Sequence, residues 1–236
     1  MHNSINYHPY RPAYYQLHRI IKQANKGLWQ NILIGIVGLW CGLCTIAQAA
    51  EPLTPSKKIL IVGDSLGASY GVATESSWAN LLSNRLAQQS PAYSVINASI
   101  SGDTSSSARS RLPALLAQHQ PNIVIIELGG NDGLRGLPVE MIERNLSNMV
   151  ETTQASNAKV LLLGITLPKN YGTAYIHQFD KMYHKLAKNY HVSVLPFLLK
   201  DIAGHAGMMQ NDGIHPTAAA QPKILENIWP LLKPLL

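Results

Sequence analysis

The sequence predicts an α/β protein in which a five-stranded, doubly wound parallel sheet lies between two layers of helices. Five short apolar runs, rich in Ile, Val and Leu and without alternation, have the pattern of strands buried on both faces. Helix-like segments separate them, and strands that alternate with helices form right-handed βαβ units in a parallel sheet. The apolar runs are 59–63, 93–98, 122–129, 159–165 and 192–197.

The helix-like segments are 78–88, 105–118, 138–155, 175–190 and 217–236. Pro138 is typical of a first helical turn, where the backbone N–H that proline lacks would have no helical partner. The last segment is expected to bend or break near Pro222 and Pro230, because proline removes a helical hydrogen bond. The chain has 236 residues, which fits one domain of this kind, and we place it at residues 50–236.

Residues 1–49 have the features of a secretory signal peptide. They carry four basic residues and no acidic one, and residues 32–46 form a short apolar stretch. The small-x-small triplet at 47–49 then predicts cleavage after Ala49 and secretion to the periplasm of a Gram-negative cell. An uncleaved N-terminal anchor is the alternative, although the apolar stretch is shorter than the roughly 20 residues of a membrane span.

The composition argues against several classes of partner and cofactor. No basic run with interleaved aromatic side chains is present, so nucleic-acid binding has little support. No His/Cys group has metal-site spacing, so we expect neither a metal nor a cofactor. Both cysteines, Cys41 and Cys44, fall in the leader, and cleavage would leave a protein without thiols. We expect a monomer that binds a small molecule and has no stable membrane insertion after cleavage.

Polar and glycine-rich segments follow the strands, at one edge of the predicted sheet. Ser65 comes two residues after the first run, Gly102 follows the second and Asn131 follows the third. Asp212 and His215 lie in a turn beyond the fifth run. Open doubly wound sheets bind ligands beyond the carboxyl ends of their strands. The sequence therefore predicts a functional site at this edge.

Two serines compete for the role of nucleophile in the segment after the first run. Ser69 lies in Gly-Ala-Ser-Tyr-Gly, which matches the G-x-S-x-G nucleophile-elbow pattern. An elbow requires a strand that leads directly into a sharp turn, and Ser69 is six residues past the run. Ser65, in Gly-Asp-Ser-Leu, is the better candidate, although a helix cap or turn residue would show the same pattern.

His215 is the best candidate for the base that a serine hydroxyl needs before it can attack. It lies in Asp-Gly-Ile-His-Pro, three residues after Asp212. A carboxylate at this spacing can bind the Nδ1–H of the imidazole and hold its tautomer. An Asp-Gly turn followed by a surface histidine is the simpler alternative.

Four segments, taken in order, resemble the four blocks of the GDSL, or SGNH, hydrolase family. They are Gly-Asp-Ser-Leu at 63–66, Gly102, Gly-Gly-Asn-Asp at 129–132 and Asp-Gly-Ile-His-Pro at 212–216. The resemblance covers nearly all of 57–236 and implies a three-layer, flavodoxin-like fold. Longer pieces, such as ELGGNDGLRG, resemble the bacterial periplasmic branch of that family with acyl-CoA thioesterase, protease, lysophospholipase and arylesterase activities.

The resemblance implies a role for each of these residues. Ser65 attacks the acyl carbon, His215 transfers the proton and Asp212 orients His215. The N–H groups of Ser65 and Gly102 and the side-chain amide of Asn131 form the oxyanion hole, whose donors stabilise the developing negative charge. The implied activity is hydrolysis of aryl esters, fatty acyl thioesters and lysophospholipids, without a cofactor.

Apolar side chains near these blocks are candidates for an acyl pocket, although plain packing explains them equally well. They are Leu66, Tyr70, Leu167, Pro168 and Ile214. Two other functions stay open. One is a carbohydrate or peptidoglycan O-deacetylase with the same site, and the other is a non-catalytic periplasmic protein that binds lipids or fatty acids. Hydrolysis rates for esters of increasing acyl chain length distinguish the O-deacetylase, whose rate should fall beyond acetyl, from an esterase. A failure to react with a fluorophosphonate would favour the non-catalytic lipid-binding protein.

Overall fold

A five-stranded parallel sheet forms the centre of the computed structural model, which describes residues 57–88 and 93–236. The predicted signal peptide, residues 1–49, lies outside the described residues. The strand order is β2-β1-β3-β4-β5, so the chain changes direction across the sheet at β1, as in a doubly wound fold. This order confirms the predicted fold class. The strands are β1 (Lys57–Gly63), β2 (Tyr93–Asn97), β3 (Ile123–Glu127), β4 (Lys159–Leu163) and β5 (Ser193–Leu195).

Six α-helices accompany the sheet within the described part of the chain. Five of them agree with the predicted helical segments. The sequence pattern did not predict α3, because its five residues are too few for a helical period and include two glycines. The helices are α1 (Trp78–Leu86), α2 (Ser105–His119), α3 (Gly130–Leu134), α4 (Val139–Ala155), α5 (Thr173–Tyr190) and α6 (Gln221–Leu232).

Proline affects the C-terminal segment less than the sequence led us to expect. Because α6 begins at Gln221, Pro222 lies in its first turn, where a missing N–H costs no helical hydrogen bond. Pro230 lies inside α6, and the helix continues beyond it. No break occurs at either proline. The segment is divided instead into α6 and two flanking 3-10 helices, Ala218–Ala220 and Lys233–Leu235.

Two apolar layers cover the sheet, one on each face. Ile59 and Ile61 of β1 belong to one layer, and Leu60 and Val62 belong to the other. All four side chains are fully buried, as the unbroken apolar run predicts. Helices α1 and α6 pack on the first face, and α2, α4 and α5 pack on the second. Apolar burial on both faces holds the carboxyl ends of the strands in a fixed arrangement.

Trp78, at the start of α1, connects this helix to the segment that follows β1. Its side chain is fully buried, and its indole N–H donates to the carbonyl of Leu66 at 3.0 Å. Its backbone N–H donates to Gln221 Oε1 at 3.0 Å, and the same oxygen accepts the hydroxyl of Ser69. Trp78 and Gln221 therefore hold the segment that begins at Ser65.

Replacing Trp78 with Phe should lower the free energy of unfolding by about 1–3 kcal/mol, because the buried carbonyl of Leu66 loses its donor. Urea unfolding followed by circular dichroism measures this loss. Trp229→Phe is the matched control, since that ring is only partly buried and lies against the Arg85 guanidinium. We expect the control to lose less than about 1 kcal/mol. Equal losses in the two variants would show that the indole hydrogen bond contributes nothing measurable.

Candidate active site

Ser65 lies in a tight turn that follows β1 directly. The strand ends at Gly63, and the N–H of Ala68 donates to the carbonyl of Asp64 at 2.9 Å. The side chain of Asp64 closes the same turn, because its Oδ1 accepts the N–H of Leu66 at 3.0 Å. The turn thus places Ser65 at the carboxyl end of a central strand.

The side chains of Ser65, His215 and Asp212 form a continuous row, with His215 in the middle. Ser65 Oγ lies 2.9 Å from His215 Nε2, and His215 Nδ1 lies 2.7 Å from Asp212 Oδ2. The backbone N–H of His215, its ring and the N–H of Ile214 all bind Asp212, and they lower the pKa of this carboxyl to about 2. Asp212 is therefore ionised at neutral pH and accepts the Nδ1–H, which leaves Nε2 free to accept the Ser65 proton.

The loop that carries the histidine folds back on itself as a short hairpin. The N–H of Gln210 donates to the carbonyl of His215 at 2.7 Å. Between them Gly213 has a φ of +68°, a conformation that glycine adopts without strain. The side-chain amide of Gln210 donates to the carbonyl of Tyr70 at 2.8 Å. This bond anchors the hairpin against the segment that follows Ser65.

The residues expected to form the oxyanion hole are Ser65 in the turn after β1, Gly102 in the loop after β2 and Asn131 on α3. The side-chain amide of Asn131, on α3, donates to Asp64 Oδ2 and to the carbonyl of Asp103, both at 3.0 Å. Gly102 precedes Asp103 and has a φ of +82°. Within 57–88 and 93–236, neither the N–H of Gly102 nor that of Ser65 has a protein acceptor. These two N–H groups are open to a substrate oxygen, whereas the Asn131 amide must share one of its hydrogen atoms.

Two buried acidic side chains, Asp103 and Asp132, fix the segments next to Asn131. The carboxylate of Asp103 pairs with Arg111 at 2.7 Å and fixes the loop that follows β2. Asp132 is fully buried and accepts the backbone N–H of Ser105 at 2.8 Å and its hydroxyl at 2.7 Å. This contact joins the start of α2 to α3. Asp132 therefore has a structural role next to Asn131.

Ser69 binds Gln221 rather than the histidine. Its side chain is buried, and its hydroxyl donates to Gln221 Oε1 at 3.0 Å. Its backbone has a φ of +53°, which is uncommon for a residue with a side chain. The structure thus brings Ser65, and not Ser69, to His215.

An apolar cavity of about 480 Å³ lies beside Ser65 and His215. Four of the five expected pocket residues line it, namely Leu66, Leu167, Pro168 and Ile214. The fifth, Tyr70, is not among the lining residues, and its ring centroid lies 4.8 Å from that of His215. The apolar pattern of the sequence did not single out the other walls, which include Leu134, Ile165, Phe197, Leu199 and Met209.

Glu127, at the end of β3, is a further buried residue that the motif pattern did not single out. Its Oε2 accepts the N–H of Asp64 at 3.2 Å and the N–H of Gly67 at 2.9 Å. Burial and the neighbouring Asp64 charge raise the pKa of Glu127 well above its ordinary value. One signal was present in the sequence, because Glu127 is the single charged residue in the apolar run 122–129.

Known proteins similar to this chain carry the names of ester hydrolases. The GDSL-like lipase/acylhydrolase family model matches residues 61–221. Esterase TesA of Pseudomonas aeruginosa is 52% identical over 181 residues, which cover 77% of this chain and 90% of that protein. Thioesterase 1/protease 1/lysophospholipase L1 of Escherichia coli K12 is 46% identical over 178 residues, which cover 75% of this chain and 84% of that protein.

A solved structure is also similar to the described fold. It is the psychrotrophic esterase EstA from Pseudoalteromonas sp., inhibited by monoethylphosphonate, with a TM-score of 0.72 and 43% sequence identity. The match covers 76% of this chain and 98% of that one. The sequence comparisons and the structure comparison therefore both match this chain to proteins named as esterases or thioesterases.

The geometry predicts that a fluorophosphonate labels Ser65, because a serine attacks phosphorus readily only when a base activates it. Ser65→Ala should abolish labelling, and Ser69→Ala should be labelled at nearly the wild-type rate. Gel fluorescence measures the rate, and mass spectrometry identifies the modified peptide. Labelling of Ser65→Ala at the wild-type rate would contradict the arrangement described above.

Proposed function

The chain belongs to the GDSL-like lipase/acylhydrolase family, and we propose that it hydrolyses carboxylic esters and acyl thioesters through an acyl-enzyme on Ser65. The contact that carries the proposal is the 2.9 Å approach of Ser65 Oγ to His215 Nε2 beside an apolar cavity. Hydrolysis of ester bonds also agrees with the names of its relatives.

Acylation begins when Ser65 Oγ attacks the acyl carbon and its proton passes to His215 Nε2. Negative charge then develops on the acyl oxygen, where the N–H groups of Ser65 and Gly102 and one N–H of Asn131 stabilise it. His215 returns its proton to the leaving alcohol or thiol as the C–O or C–S bond breaks. Asp212 holds the imidazole in place and stabilises its cationic form.

Deacylation repeats these steps with water as the nucleophile. His215 takes a proton from the water as the water oxygen attacks the acyl carbon. The bond between the acyl carbon and Ser65 Oγ then breaks, and His215 returns the proton to Ser65. A free carboxylic acid leaves and the enzyme is regenerated. Water is the only reactant needed besides the ester or thioester.

The cavity favours substrates with an apolar acyl chain. Its volume of about 480 Å³ is that of a small-molecule pocket, and its apolar walls are aliphatic side chains together with Met209 and Phe197. The E. coli relative is named as both a thioesterase and a lysophospholipase, and the substrates of both reactions carry acyl chains. We therefore place aryl esters, fatty acyl thioesters and lysophospholipids ahead of acetylated carbohydrates as substrates.

The rate of p-nitrophenyl ester hydrolysis should rise with acyl chain length from acetyl until the cavity is full. Each buried CH₂ contributes about 0.8 kcal/mol, so kcat/KM should increase by up to about fourfold per carbon. Ser65→Ala should lose on the order of 10⁶ in kcat. A rate that falls beyond acetyl would favour the O-deacetylase, and an absence of all ester hydrolysis would favour the lipid-binding protein.

Secretion to the periplasm is proposed from the basic and apolar pattern of residues 1–49, which the structure does not describe. In the described ranges no helix combines the length and the apolar character that crossing a membrane requires. We propose that the secreted enzyme acts as a monomer. The intact mass of the periplasmic product tests the cleavage: a chain that begins at Ala50 supports it, and a full-length chain contradicts it.

A further inference from the structure

Two buried acids lie against each other behind the proposed nucleophile. Asp64 is 3% exposed and Glu127 is 2% exposed, and Glu127 Oε2 accepts the backbone N–H of Asp64 at 3.2 Å. The pairing of β1 with β3 sets this contact, because it places Gly63 opposite Glu127. Two adjacent carboxylates that were both ionised in this buried site would repel each other strongly, because little solvent screens their charges. We therefore expect one of the two acids to hold a proton.

In the described ranges, no lysine or arginine balances a second negative charge at this position. Among the residues that the structure describes, neither acid forms an ion pair with a lysine or arginine. A buried pair of anions without a counter-ion is strongly unfavourable. The titratable and polar groups that face the pair are His215 of the hairpin, Ser99 after β2, Asn131 of α3 and Tyr183 of α5.

The hydrogen bonds of the two acids indicate which one holds the proton. Asp64 uses both oxygens as acceptors, Oδ1 for the N–H of Leu66 and Oδ2 for the amide of Asn131, each at 3.0 Å. Glu127 accepts only at Oε2, from the N–H groups of Asp64 and Gly67. Its Oε1 is left to carry a proton. Burial raises the pKa of both acids, but hydrogen bonds oppose the shift of Asp64, whereas the Asp64 charge adds to the shift of Glu127, which favours the same assignment.

We propose that Glu127 is a positioning residue that donates this proton to Asp64 in a hydrogen bond, so that anionic Asp64 aligns the Asn131 amide beside Ser65. The inference rests on the proposed function only for its kinetic readout. Without the hydrogen bond the Asp64 carboxylate can rotate, and the Leu66 N–H and the Asn131 amide lose a fixed acceptor. Glu127 acts on the reaction through Asp64 and does not touch the substrate.

Amide variants of the two acids locate the proton. Glu127→Gln keeps a neutral donor and an acceptor, whereas Glu127→Leu removes both. For a p-nitrophenyl ester, we expect Glu127→Leu to lower kcat at least about tenfold with little change in KM, and Glu127→Gln to restore most of that loss. Asp64→Asn should lower kcat by about 10² or more, because the Asn131 amide loses its anionic acceptor.

The opposite order of these activities would overturn the proposal. If Asp64→Asn stayed active and Glu127→Gln were slow, the proton would lie on Asp64. Equal kcat values for Glu127→Leu, Glu127→Gln and the wild type would show that Glu127 positions nothing. If Glu127→Leu fails to fold, the comparison of Glu127→Gln with Asp64→Asn still decides between the two assignments.

Thermal unfolding tests the same proton without an activity assay. Folded Glu127 keeps its proton at pH values where the unfolded chain, with an ordinary pKa of 4.5, has lost it. The folded state then binds more protons than the unfolded state, so the Tm of the wild type falls relative to Glu127→Gln as the pH rises. We expect the Tm of Glu127→Gln minus that of the wild type to increase between about pH 5 and pH 8.

Glu75→Gln is the matched control, because Glu75 is an exposed acid away from the sheet. Its Tm difference from the wild type should stay flat over the same pH range. A flat or falling difference for Glu127→Gln overturns the proposal even if the enzyme hydrolyses esters. A rising difference in a chain that hydrolyses no ester supports the assignment of the proton and refutes the proposed function alone.

Discussion

The parallel pairing of β1 with β3 is the contact on which the rest of the site depends. Its register places Gly63 opposite Glu127 at the carboxyl ends of the two strands. A Cβ at Gly63 would lie 2.8 Å from Glu127 Oε2, and a Cβ at Gly67 would collide with Ser99 Oγ. The chain can turn tightly at Ser65 only because these two positions have no side chain to collide with their neighbours.

Three segments, namely α3, the loop after β2 and the hairpin that carries His215, lie at that turn, and a polar contact holds each of them. Asp64 binds the amide of Asn131, which joins the turn to α3. Arg111 pairs with Asp103 and holds the loop after β2. Gln210 binds the chain after the turn and positions the hairpin that carries the histidine. The apolar layers hold the strands, and these polar contacts orient the groups that we propose to react. Such a division suits a hydrolase, since preorganised donors need a rigid support.

The fold could be predicted from the sequence because its elements carry short-range signals. Apolar runs without alternation marked all five strands, and helical periodicity marked the five longer helices. The short helix α3 was missed, since five residues with two glycines carry no period. The candidate site was also visible in part, because residues that follow parallel strands lie at one edge of the sheet. Spacing after β1 favoured Ser65 over Ser69, and Ser65 is the serine that lies next to His215.

The sequence by itself determined the fold class, the order of the strands along the chain and the candidates for the reacting groups, since each of these follows from local pattern. Only the tertiary structure decided the shape of the cavity and the contact between Asp64 and Glu127. The cavity walls come from distant segments such as those of Leu66, Phe197 and Met209, and an apolar residue looks the same in the sequence whether it faces a cavity or a core. The environment of Glu127 likewise depends on strand register, because burial beside a second acid arises only when two strands are paired.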